Sequence, residues 1–485
     1  MKKYILIFLI MALGCSEDFL KEDPKGQPIG SGAISDLNAL KQLTLGTYFT
    51  IAQAWNYGIN DGGFLAAQSG GDDLCAIPKK EDLAEFDVFT VTSNSDRIKK
   101  IWDGLYKSIQ CANGVVLYSE NIEAITDADK ALKNQLVGEA YFMRAFDYYM
   151  LVRFFGDIPL ITDPAFTPAM LEVNKSSVAD VYALIVSDLQ QAETLMGDTK
   201  PAPGRVNKGA AKAYLADVYL TMGGWPLKDN SKYALAAAKA KEVMDNKAAF
   251  GFNLDTPIEV LWNGDPKAPR QSEEIFALYL NPAQGTINTT YGAAPKPEVE
   301  GQTGWDDYLP EIYFFKNFPE GIRKDLTFQT IMHTPNGDKP YNEVGTKHPN
   351  YRKFYSTEGV TWAVSNAVCY YRYATVLLTY AEAQCRATGT PNAEAFAAVN
   401  AVRNRAGLPN LSPSLTGNDF SKAVFDERGW EMAGESTRYF DLKRMELVRD
   451  VNSISKKDPD DYKILGTIYD YLPLPAADKS LNPNL

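Results

Sequence analysis

Apolar side chains recur at three- and four-residue steps over most of the chain, which is the spacing of one face of an α-helix. The clearest example places Phe142, Phe146, Tyr149 and Met150 in one uninterrupted segment that stops at a Gly- and Pro-containing turn, 156–159. The periodicity predicts helices over 97–120, 130–155, 176–196, 207–223, 231–246, 372–388, 392–406 and 420–448.

The predicted helices follow one another as pairs joined by short turns, and some carry small residues at packing positions. In 207–223 one face consists of Gly209, Ala210, Ala213 and Ala216, which lets a neighbouring helix approach closely. Helices of this length in successive pairs are typical of tetratricopeptide repeats. The sequence therefore predicts a mostly α fold, a tetratricopeptide-like α-helical solenoid with little β-structure.

Two stretches, 50–95 and 250–370, interrupt the helical periodicity. The second is rich in Pro, Gly and aromatic residues, and the first contains two Gly-Gly pairs. Long irregular stretches within a compact scaffold often carry function, and a high aromatic content argues against disorder. We expect both stretches to be loop insertions that supply a binding surface.

The N-terminus carries an export signal. Lys2 and Lys3 precede an apolar run, Tyr4–Gly14, which is too short to cross a hydrocarbon layer about 30 Å thick but suits a signal peptide. The stretch Ala12–Cys15 resembles a bacterial lipobox. We therefore expect residues 1–14 to be removed and Cys15 to carry a lipid anchor.

Composition excludes several function classes. Acidic residues outnumber basic ones 61 to 49, for a net charge of −12, which disfavours a nucleic-acid partner. His333 and His348 are the only histidines and are expected to face solvent, so material for zinc or Ser-His chemistry is scarce. The spacing of Cys75, Cys111, Cys369 and Cys385 fits no metal site, and buried apolar roles are expected for them. We predict no metal and no cofactor.

Several blocks of the sequence, in this order along the chain, resemble the SusD/RagB family. They are Cys15–Leu20 with Asp23-Pro24, Glu139–Phe146, Phe155–Leu160, Gly204–Ala211, Arg372–Ala374, Asn400–Leu408, Glu427–Asp441 and Leu472–Pro475. Each block is loose by itself, but together they span the chain from end to end.

The resemblance implies a lipid-anchored, surface-exposed protein of the outer membrane that binds oligosaccharides without catalysing a reaction. It also implies delivery of the glycan to a SusC-like TonB-dependent transporter. The implied organisation is a signal peptide (1–14) and a single SusD-like domain (15–485). Within that domain we expect an N-terminal helical part (15–250), an irregular binding region (250–370) and a C-terminal helical part (371–485).

Glycan binding needs flat apolar faces for the sugar rings and a polar rim for their hydroxyls. The irregular stretches supply aromatic candidates, with Trp305 preferred because Gly304 and two aspartates flank it, and they also supply polar candidates. The predicted ligand-binding residues are Trp305, Trp55, Tyr57, Asp73, Asn60, Trp262, Tyr291 and Trp362. The competing interpretation is that half or more of the aromatic residues pack the loops onto the scaffold.

Two other functions stay open: a peptide-uptake receptor of the same family and a surface glycoside hydrolase. Hydrolysis needs two carboxyl groups about 5–10 Å apart in a cleft. Asp72-Asp73, after Gly70-Gly71, is the best local candidate. Contact with sugar hydroxyls or a structural role suits this pair better than catalysis. The pairs Arg428–Glu431, Glu435–Arg438 and Asp441–Arg444 are predicted to hold the last long helix to its neighbours.

Overall fold

The computed structural model describes residues 34–485, apart from 53–63, 66, 165–167, 267–271, 285, 287, 289–290, 300–303, 360–363 and 454–460. The predicted signal peptide and Cys15 therefore lie outside the described residues. So do four of the predicted ligand-binding residues, Trp55, Tyr57, Asn60 and Trp362.

Nine long helices form the scaffold of the described chain. They are α1 (Leu37–Ala52), α2 (Asp96–Ser119), α3 (Asp127–Phe155), α4 (Val178–Leu195), α5 (Lys208–Gly223), α6 (Lys232–Asp245), α7 (Tyr373–Thr388), α8 (Ala393–Arg405) and α9 (Gly417–Glu431). The predicted helices from 97–120 to 392–406 agree with α2–α8 to within three residues at each end. The fold is mostly α and tetratricopeptide-like, as predicted.

Local chemistry explains the bounds of the longest helix, α3. Thr126 and Asp129 form a capping box: the Asp129 N–H donates to the Thr126 hydroxyl at 3.1 Å, and the Thr126 N–H donates to the Asp129 carboxylate at 3.0 Å. The helix ends at Gly156, whose φ of +74° suits a residue without a side chain.

Consecutive helices pack against each other from α1 to α6, and α6 then packs against α7 although more than a hundred residues separate them in sequence. The chain between α6 and α7 is therefore an insertion into a continuous helical array. The small-residue face predicted in α5 lies at such a contact. Ala210, Ala213 and Ala216 are fully buried, and a Cβ atom on Gly209 would lie 2.5 Å from the Phe250 ring.

A pair of antiparallel strands closes the base of this insertion. β1 (Glu274–Leu278) pairs with β6 (Val368–Arg372), with Glu274 opposite Arg372 and Leu278 opposite Val368. We call residues 279–367, which lie between these strands, the insertion. Within it β2 (Phe328–Gln329) pairs with β5 (Asn350–Tyr351), and β3 (Ile331–Thr334) forms a hairpin with β4 (Gly337–Pro340).

Short helices complete the described structure. They are Glu81–Asp87, Lys247–Phe250, Ile258–Leu261, Ile312–Lys316, Ile322–Thr327, Arg438–Arg444, Val448–Val451 and Ala476–Leu481. None of the described helices is long and apolar enough to cross a membrane.

The prediction of one helix over 420–448 is wrong. Helix α9 stops at Glu431, and a separate helix covers Arg438–Arg444. The connection turns sharply because Gly434 and Ser436 have φ values of +74° and +63°. This turn carries the Gly434 N–H to the Asp73 carboxylate, 2.9 Å away.

The charged residues of this region form ion pairs with neighbouring elements, but most of their partners differ from those that the three-residue spacing in the sequence predicts. Of the three predicted pairs, only Asp441–Arg444 forms, at 2.8 Å. Arg428 instead binds Asp441 and Asp217, at 2.7 and 2.9 Å. Arg428 and Glu431 keep their helical spacing but each binds residues of other elements, whereas the turn after Glu431 separates Glu435 from the helical register of Arg438.

Glu431 and Glu435 join a buried network around Arg372 that also includes Glu273, Arg323, Arg405 and Lys353. Arg372 lies at the C-terminal end of β6, and Arg323 and Lys353 belong to the insertion. This network therefore connects the insertion to α8, α9 and the turn after α9.

Candidate functional site

The aromatic residues of the insertion mostly build a second hydrophobic core, separate from the main core of the helices. Its buried members are Leu65, Leu74, Ile258, Leu261, Trp262, Tyr291, Ala294, Tyr308, Phe314, Phe315, Phe318, Phe328, Tyr351, Phe354, Val364 and Ala433. Trp305, Tyr341 and Trp430 pack against this second core but are only partly buried. The second core holds the insertion in a fixed shape on the scaffold.

Trp262 lies inside the protein, where two cations flank its indole ring. The Lys353 ammonium is 4.4 Å and the Arg372 guanidinium 5.4 Å from the ring centroid. Phe354 meets the indole edge-on at 6.0 Å. Because Trp262 is 9% exposed, this ring offers no free face for a sugar.

Tyr291 is also an interior residue. Its ring stacks on Phe354, with centroids 4.9 Å apart and planes 9° from parallel. Only 6% of Tyr291 is exposed, so Phe354 occupies the position that a stacked sugar would take. The competing interpretation, in which aromatic residues pack the loops onto the scaffold, describes Trp262 and Tyr291 better than ligand binding does.

Asp72 and Asp73 link their Gly-flanked loop to the turn after α9. Asp72 receives two hydrogen bonds from Arg438, at 2.6 and 2.7 Å, and Asp73 accepts the Gly434 N–H. Asp73 is 2% exposed, and burial, with the nearby Asp72 charge, raises its pKa to about 7. This geometry assigns Asp73 a structural role, because neither a sugar nor a substrate reaches it.

Trp305 stays at the surface of the second core, on a loop fixed by main-chain hydrogen bonds. The Trp305 N–H donates to the Ala293 carbonyl at 2.9 Å, and the Asp306 N–H donates to the Lys296 carbonyl at 3.0 Å. Gly304 is required here, because a Cβ atom would lie 2.0 Å from the Lys296 carbonyl oxygen. Of the predicted aromatic residues that the structure describes, Trp305 is the best placed to contact a ligand.

A large cleft begins beside this loop. We call it the insertion cleft; its volume is about 1260 Å³, and its lining residues are Lys296, Gly304, Phe315, Lys316, Glu320, Lys324, Asp325, Phe328, Gln329, Thr330, Ile331, His333, Arg352 and Tyr355. Trp305 follows Gly304 directly in the chain. The cleft combines aromatic walls with many hydrogen-bonding groups, which is the composition of a site for a polar organic ligand.

One part of the cleft lining contains Tyr355, the Lys296 side chain beside its ring, and the exposed Arg352. The Lys296 ammonium is 5.5 Å from the centre of the Tyr355 ring and donates to the Gly359 carbonyl at 2.7 Å. The Tyr355 hydroxyl is buried and has no hydrogen-bond partner within the described part of the chain. Burial raises the pKa of this phenol, so it remains a neutral donor. None of these residues stands out in the sequence, since a lone Lys, Arg or Tyr carries no motif.

The carboxylates of the cleft do not resemble a hydrolytic pair. Only Glu320 and Asp325 among its described lining residues are acidic, and both are exposed. Glu320 pairs with Lys324 at 2.6 Å. A hydrolytic pair places its two carboxyl groups in contrasting environments, one of them apolar, whereas Glu320 and Asp325 are both exposed.

The prediction that both histidines face solvent is half correct. His333 is exposed at the cleft and contacts Asp338 at 2.7 Å. His348 is 1% exposed, stacks on Tyr462 and lies 3.4 Å from Asp461. Its loop is folded against the residues after 460, which spacing along the chain does not reveal.

Of the four cysteines, Cys75 and Cys385 are buried as expected, whereas Cys111 and Cys369 are only partly buried. Within the described ranges no three His, Cys, Asp or Glu side chains gather as a metal site would require.

Two family models match separate parts of this chain, one near each end. Residues 323–485 match the model of the SusD family, and residues 60–220 match a family described as starch-binding associating with outer membrane. SusD-like protein P2 of Formosa agariphila is 27% identical, over 100% of this chain and 99% of its own.

Solved structures share the fold. A SusD homolog from Bacteroides thetaiotaomicron superposes with a TM-score of 0.81, at 22% identity and over 97% of this chain and 99% of its own. A laminarin binding SusD-like protein superposes with a TM-score of 0.74, at 23% identity and over 92% and 98% of the two chains. The family matches, the full-length relative and the shared fold agree with the sequence blocks noted above. This chain belongs to the SusD/RagB family.

Proposed function

We propose that this protein is a carbohydrate-binding protein of the bacterial outer membrane that captures oligosaccharides without cleaving them. The observation that carries the proposal is the insertion cleft beside the partly buried Trp305, on a rigid second core. Support comes from the laminarin-binding relative of the same fold and from the outer-membrane family that matches residues 60–220. Binding rests on sugar rings packing against aromatic faces and on hydrogen bonds to the polar lining.

The proposal includes a place in the cell. A lipid on Cys15 anchors the protein to the outer membrane with its binding surface outside, and a SusC-like TonB-dependent transporter receives the glycan. Cys15→Ala should abolish incorporation of labelled fatty acid. Purification of the tagged, anchored protein should recover a TonB-dependent transporter, and its repeated absence would contradict this part of the proposal.

Trp305→Ala tests the binding site. We expect roughly a tenfold or greater loss of affinity for the best-bound oligosaccharide, because a stacked aromatic face contributes more than about 1.4 kcal/mol. The measurement is calorimetric titration against panels of neutral and acidic oligosaccharides.

Trp430→Ala is the matched control. Trp430 is also partly buried on the second core, but it lines another cleft, with Asp72 and Arg438. Its loss should leave glycan affinity within twofold. Equal effects of the two substitutions would show a general loss of stability, and an unchanged affinity in Trp305→Ala would remove Trp305 from the site.

The two alternative functions give different results in the same titrations. A peptide-uptake receptor would bind peptides and none of the glycans. A glycoside hydrolase would release reducing ends continuously from the glycan that it binds.

A further inference from the structure

The insertion cleft differs in charge from the protein as a whole. The chain carries a net charge of −12. Yet the cleft is lined by four side-chain cations, Lys296, Lys316, Lys324 and Arg352, and by two carboxylates, Glu320 and Asp325. A cationic cleft on an acidic protein attracts anions locally while the remaining surface repels them.

Lys296 is the least compensated of these cations. Its ammonium binds the Gly359 carbonyl, and within the described ranges it has no carboxylate partner. The side chain is half-buried, and this burial lowers its pKa. A buried charge without a counter-ion is costly, so an anionic group placed beside Lys296 would recover part of that cost.

Arg352 is a second cation of the cleft lining that could bind an anionic ligand. Its Nη1 donates to the main-chain carbonyl of Asp325 at 3.2 Å, and the described structure gives its guanidinium no carboxylate partner. Arg352 immediately precedes the turn to Tyr355, whose N–H donates to the Arg352 carbonyl at 2.9 Å. Lys296, Arg352 and Tyr355 all line the insertion cleft, and the Arg352 charge acts on the Tyr355 phenol.

Lys324 provides a contrast within the same cleft. Its ammonium is neutralised by Glu320 at 2.6 Å and lies 4.6 Å from the centre of the Phe315 ring. Lys324 therefore offers less uncompensated charge to an anionic ligand than Lys296 and Arg352 do.

We propose, as an extension of the proposed function, that the insertion cleft recognises acidic oligosaccharides, whose carboxylate or sulfate ester group binds Lys296 and Arg352. Hydrogen bonds between ionised partners are shorter and stronger than neutral ones, and a guanidinium matches both anions in shape. Aromatic contact then supplies affinity for the sugar rings, and the two cations supply discrimination between acidic and neutral glycans.

The test compares acidic and neutral oligosaccharides of equal length by calorimetric titration. The probes are an oligogalacturonate, a sulfated oligogalactan, the unsulfated form of the same oligogalactan, and inorganic sulfate alone. We expect at least one acidic oligosaccharide to bind roughly tenfold or more tightly than the unsulfated oligogalactan. Raising the salt concentration should reduce this preference, whereas inorganic sulfate alone should bind weakly.

Lys296→Gln and Arg352→Gln should each lower affinity for the acidic oligosaccharide much more than affinity for the neutral one, so that most of the preference disappears. Arg352 is exposed, so its substitution tests the proposal even if Lys296→Gln alters the loop. Lys422→Gln is the control: it makes the same change in net charge at an exposed position of the other cleft.

The outcomes separate this inference from the proposed function. Equal binding of acidic and neutral glycans, still sensitive to Trp305→Ala, would overturn the acidic specificity and leave glycan binding intact. A preference that survives both Gln substitutions would also overturn it. If no oligosaccharide binds, the proposed function itself fails.

Discussion

At the scale of single residues, burial decides which side chains are available, and burial depends on contacts between distant parts of the chain. Trp262, Tyr291 and Asp73 have suitable chemistry for a glycan, but Phe354, Lys353 and Gly434 occupy the positions that a ligand would need. Residue type, the preceding Gly304 and the two aspartates that follow make Trp305 a candidate. Nothing local distinguishes it from Trp262, because the difference arises from the second core.

Asp147 gives a stability prediction at this scale. It is fully buried on α3, and among the described residues its carboxyl group has no cationic partner and only the Ser108 hydroxyl as a weak hydrogen-bond donor. Burial raises its pKa well above the ordinary value. The folded protein therefore keeps a proton that the unfolded chain releases above pH of about 4, and stability falls as pH rises through this window.

Asp147→Asn removes that ionisation. The variant should gain stability relative to wild type as pH is raised above about 4, at up to about 1.4 kcal/mol per pH unit, until the pH reaches the raised pKa of Asp147. The measurement is urea unfolding at several pH values. Asp188→Asn is the control, since Asp188 is buried but paired with Arg144 at 2.7 and 2.8 Å. Asp188→Asn should lower the free energy of unfolding by about 3–5 kcal/mol. An effect of Asp147→Asn that does not change with pH would contradict the role of its ionisation.

At the scale of elements, the sequence predicts the helices well because their apolar periodicity is local. Helices α2–α8 follow the predicted segments closely. The division of 420–448 escapes prediction because it depends on Gly434 and Ser436 adopting positive φ and on a partner, Asp73, far away in the chain. The β1–β6 pair escapes for a similar reason: each strand has five residues, and only their pairing across the insertion identifies them.

The loop that carries Trp305 gives the prediction at this scale. A Cβ atom on Gly304 would meet the Lys296 carbonyl oxygen, so Gly304→Ala must move the loop. We expect glycan affinity to fall roughly tenfold, because the indole and Lys296 both shift. The midpoint temperature of thermal unfolding should stay close to that of wild type, in contrast to the glycan affinity.

Gly197→Ala is the matched control for this substitution. A Cβ atom on Gly197 meets nothing within 4 Å, and the position does not have a positive φ. The glycan affinity of Gly197→Ala should equal that of wild type. Unimpaired binding by Gly304→Ala would show that the loop conformation does not position the ligand.

At the scale of the whole molecule, a helical array forms the scaffold, and in the proposed function the insertion supplies the binding surface. The base of the insertion is closed by β1 and β6, its interior is filled by the second core, and the network around Arg372 connects it to α8 and α9. Composition and the family resemblance could predict a helical scaffold that carries a separate binding region. They could not predict the cleft, because Lys296, Arg352 and Tyr355 are brought together only by the folded insertion.

The central claim is that this molecule binds glycans and does not cleave them, and one calorimetric titration of the purified protein tests it most directly. Injection of a bound oligosaccharide should give heats that saturate at a fixed stoichiometry and return to a steady baseline. Heat that continues after each injection, together with accumulating reducing ends, would contradict the claim by revealing turnover. Heats with peptides and none with any glycan would contradict it as well.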